Sequence, residues 1–293
     1  MIRHLLPVLA PALALGVCLA PVARGQDALE VTRRARAVAP GEIVELVVTS
    51  SSPLAAVTGE GFGQRVVFVE DGAGRWRGLV GLDLNTPPGP GVMTISTLLA
   101  GGAPGPGARE VLDVQQKVFP TRHVTVDESY VNPPAAVLAR IERESKRVQA
   151  ILTGVTPSRH WTDPFAPPVP GQSISSFGRR SVFNGQPRSP HSGTDFRAAS
   201  GTPVKAPNRG RVVLAEDHYF SGNVVIIDHG LGMYSFLAHL SKISVEEGQV
   251  VDRGAGVGLS GATGRVSGPH LHWTVRLNGA RVDPLSVLEI LGK

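Results

Sequence analysis

The chain has a single cysteine, Cys18, and it sits inside the first apolar segment. If that segment is removed on export, no thiol remains. That excludes disulfide staples, a thiolate nucleophile and a sulfur-built metal site. Any zinc would have to be held by histidine and carboxylate. Aromatic residues are also scarce, at 5%. No dense Lys/Arg run is interleaved with them, so a nucleic-acid partner is disfavoured. The chain contains no His-Glu-x-x-His run, which excludes the helix-borne zinc site with a glutamate base. Beyond the first segment, no apolar stretch is long enough to cross a bilayer.

That first segment reads as a secretory signal. Arg3 and His4 make a basic start, Leu5 to Ala20 an apolar run, and Ala23 and Gly25 a small-residue cleavage site. Pro7 and Pro11 interrupt the run, which is short for a retained anchor. Val17 is too large for the position before a lipidated cysteine. The expected organisation is a signal peptide over 1–25, a β-sandwich-like domain over 26–117, a helical and Pro-rich connector over 118–170, and a peptidase-like β domain over 171–293. The protein is expected to be exported, to the periplasm or the extracellular face of the cell envelope, with no stable membrane insertion after cleavage. The formal charge of +5 falls to +3 when Arg3 and Arg24 leave with the acid-free leader. A mildly basic exported protein suits an anionic polymer, although the charge equally serves solubility.

What the chain has in quantity is turn-forming residues, with 35 Gly and 24 Pro. The fold class they predict is mainly β, with short strands. Glu42-Ile-Val-Glu-Leu-Val-Val-Thr, Arg65-Val-Val-Phe-Val-Glu and Val92-Met-Thr-Ile-Ser-Thr-Leu are strand-type runs separated by Gly/Pro/Asp clusters, the pattern of a small sandwich. It carries no catalytic cluster and reads as a spacer or a wall-docking module. Val137, Leu138, Ile141, Val148, Ile151 and Leu152 recur at helical spacing, which predicts a helix near 133–152 capped by Asn132-Pro133 and ended by Gly154. Such a helix would either pack on the domain that follows or cover its groove. From residue 171 on, short β runs and Gly-rich turns predict a compact antiparallel domain.

Six of the nine histidines fall between His191 and His272. In His191-Ser-Gly-Thr-Asp195, the histidine and carboxylate share a face of an extended segment, and both are good zinc ligands. Gly193 between them allows a bend. In Gly268-Pro-His270-Leu-His272-Trp, a strand puts both histidines on one face and Leu271 on the other. His239 ends an apolar strand. Each motif alone has an ordinary explanation as surface or satisfied histidines. Together they supply three zinc ligands, an open fourth position and two spare imidazoles, which is enough for amide hydrolysis without a nucleophilic side chain.

The order and spacing of these motifs also resemble a known family. His191-Ser-Gly-Thr-Asp195, Gly201-Thr-Pro-Val-Lys-Ala-Pro, Gly222-Asn, Asp228-His-Gly, Ala238-His-Leu, Gly261-Ala-Thr-Gly and Gly268-Pro-His-Leu-His-Trp are similar to the lysostaphin-type (LytM-like) zinc metallopeptidases that act on peptidoglycan. The resembling stretch runs from about Ser175 to Pro284. The resemblance implies an antiparallel sheet with a zinc groove and one Zn2+ per chain. His191, Asp195 and His272 would be its ligands, and His239 and His270 would flank the attacking water and the scissile carbonyl. It implies substrate contacts from Asn223 and Arg180, a structural His229, and a surface role for His218. The implied substrate is a peptide cross-link of peptidoglycan, with the D-alanyl-diamino acid bond expected and a glycine bridge as the alternative. A non-catalytic wall-binding regulator of an amidase is the rival reading; it predicts a broken ligand set, whereas this set is intact.

Overall fold

The structure, a computed structural model, describes residues 29–72, 74–125, 128, 131–174 and 177–292. The expected signal peptide, with Cys18, lies outside the described residues, as do Ser175 and Ser176.

The first eight strands are β1 (Leu29–Ala35), β2 (Ile43–Ser50), β3 (Leu54–Gly61), β4 (Gln64–Val67), β5 (Val69–Glu70), β6 (Arg75–Gly81), β7 (Gly89–Leu99) and β8 (Ala108–Val114). They form two antiparallel four-stranded sheets, ordered β1-β2-β6-β5 and β4-β3-β7-β8. Val44, Leu46 and Val48 from β2 meet Val57, Met93, Ile95 and Leu112 from the second sheet in a shared core. This is the expected sandwich. Six consecutive residues of β2, Ile43 to Val48, are buried, where a sheet facing water on one side would alternate. The cause is a covering on the outer face. Ile43 belongs to the core of the carboxy-terminal domain, and Glu45 pairs with Arg34 and Arg77.

A connector follows, with β9 (Thr121–Val124) and helix α1 (Ala135–Leu152). The helix begins two residues later than the sequence suggests. Pro134, not Asn132, is the N-cap, with an extended ψ of 145° and no side-chain cap. Consecutive prolines explain the delay, because the residue before a proline is driven out of the helical region. The Asn132 amide donates instead to the Glu128 carboxylate.

The remaining elements are β10 (Arg180–Phe183), β11 (Gln186–Pro187), β12 (Thr194–Phe196), β13 (Pro203–Lys205), β14 (Gly210–His218), β15 (Gly222–Gly230), β16 (Met233–Ile243), β17 (Val250–Val251), β18 (Gly256–Ser260), β19 (Leu271–Leu277), β20 (Ala280–Val282) and α2 (Pro284–Leu291). A nine-stranded sheet is ordered β12-β19-β16-β15-β14-β17, with β13, β18 and β20 attached to it. The connector strand β9 adds in parallel to the β10–β11 hairpin.

Alternation along β16 sends Met233 and Leu237 into one core with Trp273, Val275 and Val287. Tyr234, Phe236 and Ala238 point the other way, where Val148, Ile151 and Leu152 of α1 cover them. The helix therefore packs on the sheet through its apolar stripe, and Arg140 and Arg147 reach Asp217, Glu216 and Glu247 at its sides. The Pro-rich strap after it is part of the main core. Trp161, Phe165 and Val169 are buried there, and Phe165 N–H donates to the Leu291 carbonyl at 2.7 Å.

The sandwich is held to the back of the large sheet by charge as well as by Ile43. Arg281 forms a forked pair with Asp83, at 2.6 and 3.0 Å. Burial would raise the Asp83 pKa, but the Arg281 guanidinium outweighs it and holds the carboxyl at about 2. Arg36 bridges Glu42 and Asp283, at 2.8 and 2.7 Å. Gly81 is a point of close approach to the large sheet, since a Cβ there would lie 2.9 Å from Ala280 Cβ.

Candidate active site

The site is assembled by strand register. β19 lies between β12 and β16, so that Asp195, His272 and Ala238 form one row across three strands. Directly paired residues project from the same face. Asp195 and His272 are therefore neighbours, on the face that also carries α1. His191 enters from the loop before β12, fixed by its N–H to the Arg179 carbonyl, and its own carbonyl accepts from Gly178.

Three donor atoms converge. His191 Nε2 lies 3.0 Å from His272 Nδ1 and 3.2 Å from Asp195 Oδ1, and His272 Nδ1 lies 2.9 Å from Asp195 Oδ1. The edges of a tetrahedron around zinc with N and O ligands at ~2.0–2.1 Å are roughly 3.3 Å long. All three observed edges fall within a few tenths of that. Two imidazole nitrogens and one carboxylate oxygen, without a thiolate, are also the donor types of open catalytic zinc centres. Among the described residues, these three form the cluster whose ligand atoms all lie within 4.8 Å of one another. His270 Nε2 approaches Asp195 Oδ1 to 3.7 Å but is not a member of the group. The side chains of all four residues are 13–23% exposed, so the cluster is partly open to solvent and not in a closed core.

The electrostatics favour a cation. Burial would raise the Asp195 pKa, but hydrogen bonds from His191 and His272 outweigh it and hold the carboxyl well below the usual carboxylate range. Burial, opposed by Asp195, lowers the His272 pKa and favours the neutral ring that a metal needs.

His239 stands where β16 changes partner. Ala238 pairs with β19 and Leu240 with β18, and His239 between them has φ of +63°. A non-glycine residue in the left-handed region is uncommon. Here it turns the ring toward the cluster, with its centroid 5.0 Å from His270 and 5.9 Å from His272. Its Nδ1 lies 2.9 Å from the Thr263 carbonyl. A carbonyl only accepts, so Nδ1 carries the hydrogen and Nε2 keeps a lone pair. Burial and the nearby His272 push the His239 pKa down to about 3, so the ring is neutral at neutral pH. His270 is oriented in the same way, with Nδ1 2.8 Å from the Gly268 carbonyl.

Gly193 is required for a reason other than the expected bend. It does not occupy the left-handed region. Instead the His191–Asp195 loop runs directly over β19, and a Cβ on Gly193 would collide with the Trp273 carbonyl. It would also lie 2.6 Å from Thr274 Oγ1 and 2.9 Å from His272 Cε1. Gly193→Ala is expected to lower stability by about 1–3 kcal/mol and to weaken zinc binding, measured by thermal melting with and without added zinc. A variant matching the parent in both would show that the loop can lift away from the strand.

The four expected site histidines, His191, His239, His270 and His272, and the carboxylate Asp195 thus lie together. Asn223 is one layer out. Its amide donates to the Leu240 carbonyl at 3.0 Å, and its N–H donates to Thr263 Oγ1, beside the carbonyl that orients His239. Arg180 is exposed at the start of β10, next to the residue whose carbonyl fixes His191. His229 is fully buried between the Arg209 carbonyl and Ser235 Oγ, a structural role. His218 is not on the surface: it is 5% exposed, with Nε2 3.1 Å from Glu216 Oε1. It closes the β14–β15 hairpin opposite Gly222, a pairing invisible without the register. Sequence reasoning also passed over Thr274, whose Oγ1 lies 2.9 Å from His272 Nε2. Its position two residues beyond His272 on a strand, hence on the same face, was the available signal.

Comparison with known proteins gives the family of the domain that carries the site. Residues 189–284 match the model of peptidase family M23. The peptidoglycan DD-endopeptidase ShyA of Vibrio cholerae is 48% identical over 96 residues, and the DD-carboxypeptidase/endopeptidase Mpg of Neisseria meningitidis is 43% identical over 97. Each alignment covers 33% of this chain and 22% of the relative, so the chain spans about a fifth of the length of the curated relatives it matches. The likeness reaches further in a crystal structure of a peptidase M23 from Pseudomonas aeruginosa. That structure is 35% identical with a TM-score of 0.67, over 86% of this chain and 95% of the other. A similarity extending through both the sandwich and the metal-site domain is not confined to a shared motif, and on that ground the chain belongs to the peptidase M23 family.

Proposed function

We propose that this protein is a zinc-dependent endopeptidase that hydrolyses peptide cross-links of bacterial peptidoglycan, at the D-alanyl-diamino acid bond. The observation that carries the proposal is the convergence of His191 Nε2, Asp195 Oδ1 and His272 Nδ1 at tetrahedral edge lengths, with two further imidazoles beside them that are tied back through their Nδ1 atoms. Family membership and the names of the relatives, two of which specify DD-endopeptidase activity on peptidoglycan or DD-carboxypeptidase/endopeptidase activity, support the substrate class.

His191, Asp195 and His272 would hold the ion. Zinc in such a site polarises a carbonyl and lowers the pKa of water near it. The residues supply the rest. His239, neutral and with its lone pair on Nε2, accepts the proton that the attacking water gives up. The C–N bond of the cross-link breaks, the water oxygen stays on the acyl carbon, and the same nitrogen returns its proton to the leaving amine. His270, held through Nδ1 by the Gly268 carbonyl, is the proposed neighbour of the scissile carbonyl on the Asp195 side of the cluster. Asn223 and Arg180 are the proposed contacts to the stem peptide on either side. The place of action is the cell envelope, where this substrate lies. No helix among the described residues is long and apolar enough to cross a membrane.

The proposal is tested by incubating purified protein with peptidoglycan and separating the muropeptides. Cross-linked dimers should give way to monomers, and a zinc chelator should stop the conversion. Release of glycan fragments with dimers intact would assign the protein to a different chemistry.

A further inference from the structure

The second nitrogen of His272 is accounted for by a side chain. Its Nε2 lies 2.9 Å from Thr274 Oγ1, and Thr274 is 4% exposed. The Gly193 loop passes over this contact, close enough that a methyl group would strike both partners. Ser192 Oγ stands 3.5 Å from Thr274 Oγ1 and provides the hydroxyl a neighbour on the loop itself. The contact is thus enclosed between β19 and the segment carrying the other two ligands.

The chemistry of a hydroxyl matters here. His272 Nδ1 has two possible tasks, and each demands a different tautomer. Facing Asp195 Oδ1 at 2.9 Å without an ion, Nδ1 donates its hydrogen, and Nε2 must then accept from a partner. Facing a metal, Nδ1 offers its lone pair, and Nε2–H must then find an acceptor. A carbonyl or carboxylate partner serves only the second case. A threonine hydroxyl serves both, by rotating its hydrogen.

We propose that Thr274 is a positioning residue for the zinc site: its hydroxyl stays bonded to His272 Nε2 in either tautomer, accepts the Nε2–H when the Nδ1 lone pair is needed as a ligand, and so holds the ring oriented toward Asp195 and His191. This rests on the zinc-peptidase reading, but it concerns binding and is read without turnover. Outer-shell hydrogen-bond partners of metal histidines are worth ~10–100-fold in metal affinity.

The test compares Thr274→Val, which keeps the shape and removes the hydroxyl, with Thr274→Ser, which keeps the hydroxyl. The full chain is titrated with zinc against a competing chelator, and with cobalt to read the ligand-field absorption of the bound ion. The zinc Kd of Thr274→Val should rise about 10–100-fold and its cobalt spectrum should shift, while Thr274→Ser stays within a few-fold of the parent in both. Metal-free melting curves of both variants identify a folding defect. If Thr274→Val binds zinc as the parent does, or if Thr274→Ser is as impaired as Thr274→Val, the hydroxyl has no such role and the zinc-peptidase reading is untouched. If the parent protein itself takes up no zinc, both fall together.

Discussion

Replacing Asp195 with alanine is expected to strip the metal and abolish hydrolysis in one step. Asp195 is the only carboxylate of the cluster, and its Oδ1 touches both imidazole nitrogens, at 3.2 and 2.9 Å. Without it two histidines 3.0 Å apart remain, and two ligands do not close a zinc site. Losing an outer-shell partner costs ~10–100-fold in affinity, and losing a direct ligand costs more than that. Zinc content measured after dialysis should therefore fall from one per chain to near zero, with activity below detection. The fold should persist, because β12 and β19 are anchored by Phe196, Leu271 and Trp273, all buried. Activity at the parent rate after this change would remove Asp195 from the ligand set.

His239→Ala should behave in the opposite way, retaining the metal while losing turnover. His239 Nδ1 is committed to the Thr263 carbonyl, and His239 is not a member of the three-residue donor cluster. Its ring is nevertheless 5.0 Å from His270 and 5.9 Å from His272. Loss of a positioned base typically costs ~10²–10⁴-fold in rate. The expected result is a kcat lower by that factor with KM and zinc stoichiometry close to the parent values. Alanine meets the same left-handed backbone that histidine already tolerates, so the effect should not come from the fold. Loss of zinc in this variant would make His239 a ligand.

The contrast between the two variants follows from what the chain reveals before folding. The pairing of His270 with His272 was legible because a strand repeats every two residues, and the His191/Asp195 pair because an extended segment puts four-apart residues on one face. The sandwich and the late β domain were legible from alternating runs between Gly/Pro turns. Non-local effects were not. Nothing near residue 43 announces that Ile43 will enter the core of a domain more than a hundred residues away, or that β2 will be covered on both faces. The left-handed His239 arises from β16 switching its pairing from β19 to β18, which depends on sheet order. Gly193 looked like a hinge and is in fact a point of close approach, since what excludes a side chain there belongs to β19. The burial of His218 and the service of Thr274 to His272 are likewise consequences of register.

The most direct test of the central claim is hydrolysis of a purified cross-linked muropeptide dimer in 18O-labelled water, followed by mass spectrometry of the products with and without a zinc chelator. The zinc-peptidase account predicts two monomers, one labelled oxygen in the newly freed D-alanine carboxylate, none on the diamino acid fragment, and no products with chelator. Intact dimers in the presence of stoichiometric zinc, or cleavage that the chelator leaves unchanged, would contradict it.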